Sequence, residues 1–369
     1  MATQSGLSRR RVGGGASAGD STADISTSSS QNGSSLSTTP APSFPTSPNG
    51  YGGTALEGSS KVAYDPRDLD GDAEDSKLPK LTILEEVLLL GLKDKQGYLS
   101  FWNDNISYAL RGCIIIELAL RKRIAMVRDP NRRRYPLPDR LVEVVDERLT
   151  GETILDEALK MIKSSEKMGV GSWIDLLSGE TWNVMKIGFQ LKQVRERLMK
   201  GLVDKGVLRT EKRNFLLFDM ATHPVADART KEDVVSRVVA LLTMRTAAIP
   251  PQALAKEGIQ NRYTRAVCLA CASYAASVLE NALQRLSFDA REAAFARCDD
   301  ILAEFSTWPF GSVRADGSSG RKREGQGGGS ENIAGLVREV KKEMGDPEDL
   351  HFEVVATVLE VFGRMDSLL

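Results

Sequence analysis

The sequence predicts an all-α protein: a single large helical domain with one protruding β-hairpin, preceded by a disordered N-terminal arm. Three observations predict it. Apolar residues recur at helical spacing in segment after segment. Only one stretch carries the pattern of two strands joined by a polar turn. Strands and helices never alternate in the way a parallel nucleotide-binding sheet requires. At 369 residues with 41% hydrophobic content, the chain is long enough to bury a substantial core.

The arm comes first. Residues 1–80 are rich in Ser, Gly, Thr and Pro and poor in large apolar side chains, so they bury too little surface to offset the entropy of ordering. The arm carries a basic cluster, Arg9, Arg10 and Arg11, and ends in an acidic linker over 65–75 containing Asp65, Asp68, Asp70, Asp72, Glu74 and Asp75. That linker reads as a solvated spacer, with a self-masking or partner-binding tail as the alternative. No apolar segment follows the three arginines, which argues against a secretory signal. The longest apolar runs, VLLLGL from Val87 and CIII from Cys113, fall far short of the ~20 residues of a membrane-spanning helix. A cytosolic chain is the expectation.

The helical domain is expected over 81–369. Thr82 and Glu85 stand at the spacing of a capping box, and Gly91 is suited to end the helix they begin. After the GYLSFWND loop, Ile106, Ala109, Leu110, Cys113, Ile114 and Leu118 mark a long, half-buried helix. The segments RKR from Arg121 and NRRRYPLPDR follow. Pro136 and Pro138 oppose regular structure there, so an exposed, positively charged loop or short hairpin able to attract anionic lipid is expected. Between Ser178 and Gly206, Ile187, Leu191, Val194, Leu198 and Leu202 fall on one stripe, which predicts a continuous amphipathic helix. VLRT, a polar EKRN turn and NFLLFDM then predict the hairpin. Further helical patterns run through VVSRVVALLTM, an Ala-rich segment, DAREAAFARCDDILAEF and HFEVVATVLEVFGRM, interrupted by a flexible insertion over 317–330.

Charge narrows the function. The 49 basic and 50 acidic residues leave a net charge of −1, so no global field draws the molecule to nucleic acid or membrane, and an anion site must be a local patch. No G-x-S-x-G, H-E-x-x-H or phosphate-loop pattern is present, and the only histidines are His223 and His351. An enzyme is therefore not expected, nor a cofactor. Cys268 and Cys271 form a C-x-x-C, but no second Cys or His pair completes a tetrahedral site, and the Ala-rich surroundings read as a buried helix. Two basic constellations stand out. Trp102 precedes the helix that carries Arg111; the alternative is a Trp in the core and an Arg paired with an acid. Lys192 and Arg195 are three apart and thus expected on one helix face, where they can converge on an anion or form an ordinary solvated edge with Arg197 and Lys200.

The strings LEEVLLLGLKDKQGYLSFWNDNISYALRGCIIIELALR, TGETILDEAL, SGETWN, QVRERL and GVLRTEKRNFLLFDMATHP resemble the Golgi phosphoprotein 3 family, most closely its fungal vacuolar-protein-sorting adaptors. LSRRRV, VAYDP, VLENAL, STWPF and FGRMDSLL extend the similarity. The resemblance implies a peripheral adaptor on the cytoplasmic face of Golgi membranes, with a cytosolic pool. It implies that the protein binds phosphatidylinositol 4-phosphate and links the cytosolic tails of Golgi glycosyltransferases to the coatomer coat for retention and retrograde transport. It implies a headgroup pocket made by Trp102, Arg111, Lys192 and Arg195, with Lys192 standing where some members carry Arg. It further implies that the apolar hairpin, here Val207, Leu208, Phe215, Leu216, Leu217 and Phe218, serves membrane insertion and homo-oligomer formation. Arg9, Arg10 and Arg11 match the coatomer-binding segment. The rival readings are a winged-helix-like nucleic-acid-binding module, which the near-neutral charge disfavours, and an enzyme acting on a phosphorylated small molecule.

Overall fold

The structure, a computed structural model, describes residues 78–99, 105–180, 184–214, 219–312 and 329–365. The first helix, α1 (Ile83–Gly91), starts as its sequence requires. Thr82 Oγ1 accepts from the Glu85 backbone N–H at 3.4 Å, while the Glu85 carboxylate accepts from the Thr82 N–H at 2.9 Å. Its nine residues are all buried, including Glu85 and Glu86. The second, α2 (Asn105–Leu120), is expected to be half-buried but is enclosed from Ala109 to Leu120. It is the centre of the domain, packed against α1, α3 (Thr153–Lys163), α4 (Val170–Ser178), α7 (Arg262–Ala275) and α11 (Leu350–Met365). Gly112 permits the closest of these approaches: a Cβ there would come within 2.4 Å of the Phe362 ring on α11.

A fully buried carboxylate locks that centre. Glu117 receives both terminal nitrogens of Arg265 on α7, at 3.0 and 2.9 Å, and Nε of Arg121 at 2.9 Å. It also accepts the Ile83 N–H that opens α1, at 3.3 Å. Burial opposes the charge, but the two guanidinium groups prevail and hold the Glu117 pKa down at about 2. An acid so paired costs little to keep and much to orphan.

The remaining elements are α5 (Val194–Asp204), α6 (Ala228–Leu242), α8 (Leu279–Leu283), α9 (Phe288–Phe305) and α10 (Gly329–Glu343), with two antiparallel strand pairs. Cys268 and Cys271 lie in the buried helix α7, as the Ala-rich pattern predicts. Four expectations need correction. First, a second strand pair exists beside the hairpin: β1 (Ile124–Met126) pairs with β2 (Val142–Val144). Second, several arginines of the basic segments around and between them are paired with acids of the same domain. Buried Glu353 holds Arg132 Nε at 3.1 Å and Arg140 Nη1 at 2.7 Å, Arg133 meets Glu348, and Arg123 meets Asp146. Third, β3 (Glu211–Asn214) and β4 (Asp219–Thr222) shift the hairpin along the chain, so that EKRN is a strand and not its turn. Val207 and Leu208 are buried in the core, with Leu208 bridging Val225 at the hairpin root, so neither is available to a membrane or a partner. Phe215, Leu216, Leu217 and Phe218 lie outside the described residues. Fourth, α10 already begins at Gly329, inside the span expected to be a flexible insertion. Residues 317–328, like the acidic linker and Arg9, Arg10 and Arg11, lie outside the described residues.

The Glu117 hub makes a pH prediction. Its folded pKa lies below the usual carboxylate value of 4.5, so its stabilisation is complete above that value and is lost as pH falls toward about 2. Glu117→Gln is expected to destabilise by about 3–5 kcal/mol at neutral pH. The gap between native and variant in urea denaturation is expected to shrink steadily as pH drops from 5 toward 2, within ~1 kcal/mol of closing at the acid end.

Candidate basic site at the start of the central helix

The predicted stripe from Ser178 to Gly206 is not one helix. Helix α4 ends at Gly179 in the left-handed conformation, a 3-10 turn occupies Val184–Phe189, and α5 starts only at Val194. Gln193, the residue before α5, has φ 53 and ψ 37. Lys192 therefore precedes a left-handed break, and it does not share a helix face with Arg195 as the spacing suggested. The break leaves Lys192 next in the chain to Leu191 and Arg195 bonded to Ser107, two points that a separate route joins.

That route runs through Arg111. From the second turn of α2, its guanidinium donates three hydrogen bonds to backbone carbonyls: Nη1 to Ser107 at 2.9 Å, Nε to Leu177 at 3.3 Å and Nη2 to Leu191 at 2.7 Å. The three acceptors sit on α2, on the last turn of α4 and on the residue preceding Lys192. One planar fork thus ties α2 to two segments distant from it in sequence. The Leu191 N–H returns to the Leu177 carbonyl at 3.0 Å, closing the junction. Arg195, in the first turn of α5, donates Nε and Nη2 to the Ser107 hydroxyl at 2.9 and 2.5 Å. Ser107 therefore serves both arginines, one through its carbonyl and one through its side chain.

Burial, then the nearby positive charge of Arg195, draws the Arg111 pKa down to about 10, while Glu196 and Glu180 act in the opposite direction. Arg111 stays cationic at neutral pH. Its three donations leave two of five N–H groups uncommitted to those carbonyls. Lys192 is exposed and, among the described residues, neither Arg111 nor Lys192 has a carboxylate ion-pair partner. Arg197, by contrast, is paired with Glu157 of α3 at 2.6 Å. The α5 N-terminus adds to the positive character, because no side chain caps it.

Of the four residues expected to form the pocket, the structure joins Arg111 and Arg195 through Ser107; Lys192 is exposed and follows Leu191 in the chain; Trp102 lies outside the described residues, three positions before α2. Sequence reading missed Ser107 and Gln193. Ser107 carried one usable signal, its i, i+4 relation to Arg111 on a single helix. Gln193 carried none, since glutamine has no preference for positive φ.

A model of the family described as Golgi phosphoprotein 3 (GPP34) matches residues 83–319. The vacuolar protein sorting-associated protein 74 of Schizosaccharomyces pombe is 57% identical over 309 residues, covering 84% of this chain and 88% of that protein. The protein of the same name from Eremothecium gossypii is 50% identical over 309 residues, covering 84% and 90%.

The strained junction yields a prediction. Gln193→Gly is expected to stabilise the protein by up to about 1 kcal/mol in chemical denaturation, because glycine adopts this φ without a Cβ penalty. Gln193→Val is expected to destabilise it by about 1–3 kcal/mol.

Proposed function

We propose that this chain, which belongs to the Golgi phosphoprotein 3 family, is a Golgi protein-sorting adaptor that holds the monoester phosphate of phosphatidylinositol 4-phosphate among Arg111, Lys192 and Arg195. The observation that supports this reading is the meeting of Arg111 and Arg195 at Ser107, with the exposed Lys192 next in the chain to the Leu191 carbonyl that Arg111 holds, and with Arg111 and Lys192 lacking a carboxylate partner among the described residues. A phosphomonoester brings nearly two negative charges and three acceptor oxygens. Arg195 supplies a fixed positive charge beside Ser107, Lys192 a mobile point charge, and Arg111 its two remaining N–H groups. The open N-terminus of α5 favours an anion in the same place.

Arg111 has a double duty in this reading. It builds the site by holding the Leu177 and Leu191 carbonyls and contributes positive charge to it. Trp102, just upstream of α2, would add an amphipathic indole suited to the headgroup layer. Basic residues near an anionic surface contribute about 1 kcal/mol each, so one such pocket gives reversible attachment. Firm residence then depends on a second contact. The 215–218 segment between β3 and β4, self-association, or capture of a glycosyltransferase tail would each supply it through raised effective concentration. Arg9, Arg10 and Arg11 are assigned to coatomer binding, and the family's role in sorting fits a linker between cargo and coat. Catalysis has no part in this function.

The test compares phosphatidylcholine vesicles with and without phosphatidylinositol 4-phosphate. Lys192→Ala plus Arg195→Ala is expected to weaken flotation with the phosphoinositide vesicles at least about tenfold, with little change in thermal stability. Arg111→Lys keeps the charge but loses the fork, so it is expected to lower both binding and stability. Undiminished flotation of the double variant would contradict the assignment. Separately, Arg9→Ala, Arg10→Ala and Arg11→Ala together are expected to remove coatomer pull-down and to spare vesicle binding.

A further inference from the structure

The 3-10 turn between α4 and α5 carries two apolar side chains that the core does not use. Met185 is 89% exposed and Ile187 48% exposed. The turn that bears them is anchored at several points. Phe189 packs edge-on against buried Trp173, with ring centroids 6.0 Å apart. Lys186 Nζ lies 3.8 Å from the Met168 sulfur, and the Gln190 N–H donates to the Ile187 carbonyl at 3.2 Å. Leu191, which closes the segment, is fully buried and holds the Arg111 clamp through its carbonyl. Met185 and Ile187 are therefore presented outward on a fixed support, only a few residues before Lys192.

We propose that Met185 and Ile187 form an apolar wedge that enters the headgroup region of a bilayer beside the phosphate site. This rests on reading Arg111, Lys192 and Arg195 as the headgroup site. The occupant is a lipid surface because the exposed apolar pair adjoins a cation cluster on one short stretch of chain. An apolar group set beside basic residues is the pattern of interfacial binding, in which buried hydrophobic area and electrostatic attraction act together. A wedge of this kind supplies a contact that the phosphate pocket alone does not. It belongs to a different element from the 215–218 segment of the hairpin.

Leu149 provides an internal control. It is 74% exposed but lies beside Arg121, Lys122, Arg123 and Arg148, around a cavity of 160 Å³ at the far end of α2. Arg121 is ten residues beyond Arg111, so this cavity is about 15 Å farther along the helix axis.

The experiment measures two affinities for the full chain. One is for phosphatidylcholine vesicles containing phosphatidylinositol 4-phosphate; the other is for the soluble headgroup, inositol 1,4-bisphosphate. Met185→Glu plus Ile187→Glu is expected to weaken vesicle binding about tenfold or more and to leave headgroup affinity within about twofold. Ile187→Trp is expected to strengthen vesicle binding, and Leu149→Glu to leave it unchanged. Because these side chains are exposed, circular dichroism should show an unaltered fold. The wedge is overturned if the Glu pair binds vesicles as the native chain does, or if Leu149→Glu is the damaging change. If headgroup and vesicle binding are both indifferent to Lys192→Ala plus Arg195→Ala, the phosphate site itself is wrong, which is a separate failure.

Discussion

The three hydrogen bonds from Arg111 to the carbonyls of Ser107, Leu177 and Leu191 are the constraint on which the basic site depends. The Ser107 carbonyl belongs to the first turn of α2 and the Leu177 carbonyl also takes the Leu191 N–H, so the guanidinium adds a side-chain bond that ties the start of α2 to the end of α4 and to Leu191. A neutral side chain of that length has no comparable fork. A lysine reaches one acceptor well, whereas the planar guanidinium satisfies three in fixed directions. The clamp sets where α4 ends and where α5 begins, and so where Lys192 and Arg195 stand. A cation that is 6% exposed thereby organises cations that are more accessible.

The rest of the charge pattern makes this site distinctive. The near-neutral total conceals a domain in which arginines are spent on buried or half-buried acids. Glu117 takes Arg121 and Arg265, Glu86 takes Arg237, and Glu353 takes Arg132 and Arg140. Burial raises the Glu86 pKa, against the pull of Arg237, while at Glu117 the paired cations win. A strongly basic string such as NRRRYPLPDR is thus chiefly a set of internal struts. Raw density of arginine does not locate an anion site, because most of these arginines already hold an acid at ion-pair distance.

Much of the architecture was legible in the sequence because it is written in local chemistry. The Thr82–Glu85 capping box, the Ala-rich buried helix and the helical class all follow from spacing and composition. Helix α10 was legible too: Ile333, Leu336, Val337 and Val340 stand at helical intervals and are buried, although a glycine-rich run that has no helical pattern precedes them. The break at Gln193 was not legible. It is imposed by a tertiary clamp, and the apolar stripe it interrupts keeps its period across the break. The hairpin register failed for a related reason, since Val207 and Leu208 have strand-like composition yet are claimed by the core. At the candidate site, residue types suggested Arg111, Lys192 and Arg195, while the bonds that hold Arg111 in place run to backbone carbonyls, which carry no sequence signature.

The most direct measurement is a crystal structure of the protein with a short-chain phosphatidylinositol 4-phosphate. The expected result places the monoester phosphate within hydrogen-bonding distance of Lys192 and Arg195 and of an N–H of Arg111, with the three carbonyl bonds of Arg111 intact. A phosphate bound at another surface, or an Arg111 that leaves its carbonyls to reach the ligand, would contradict the claim that a structural clamp builds the site.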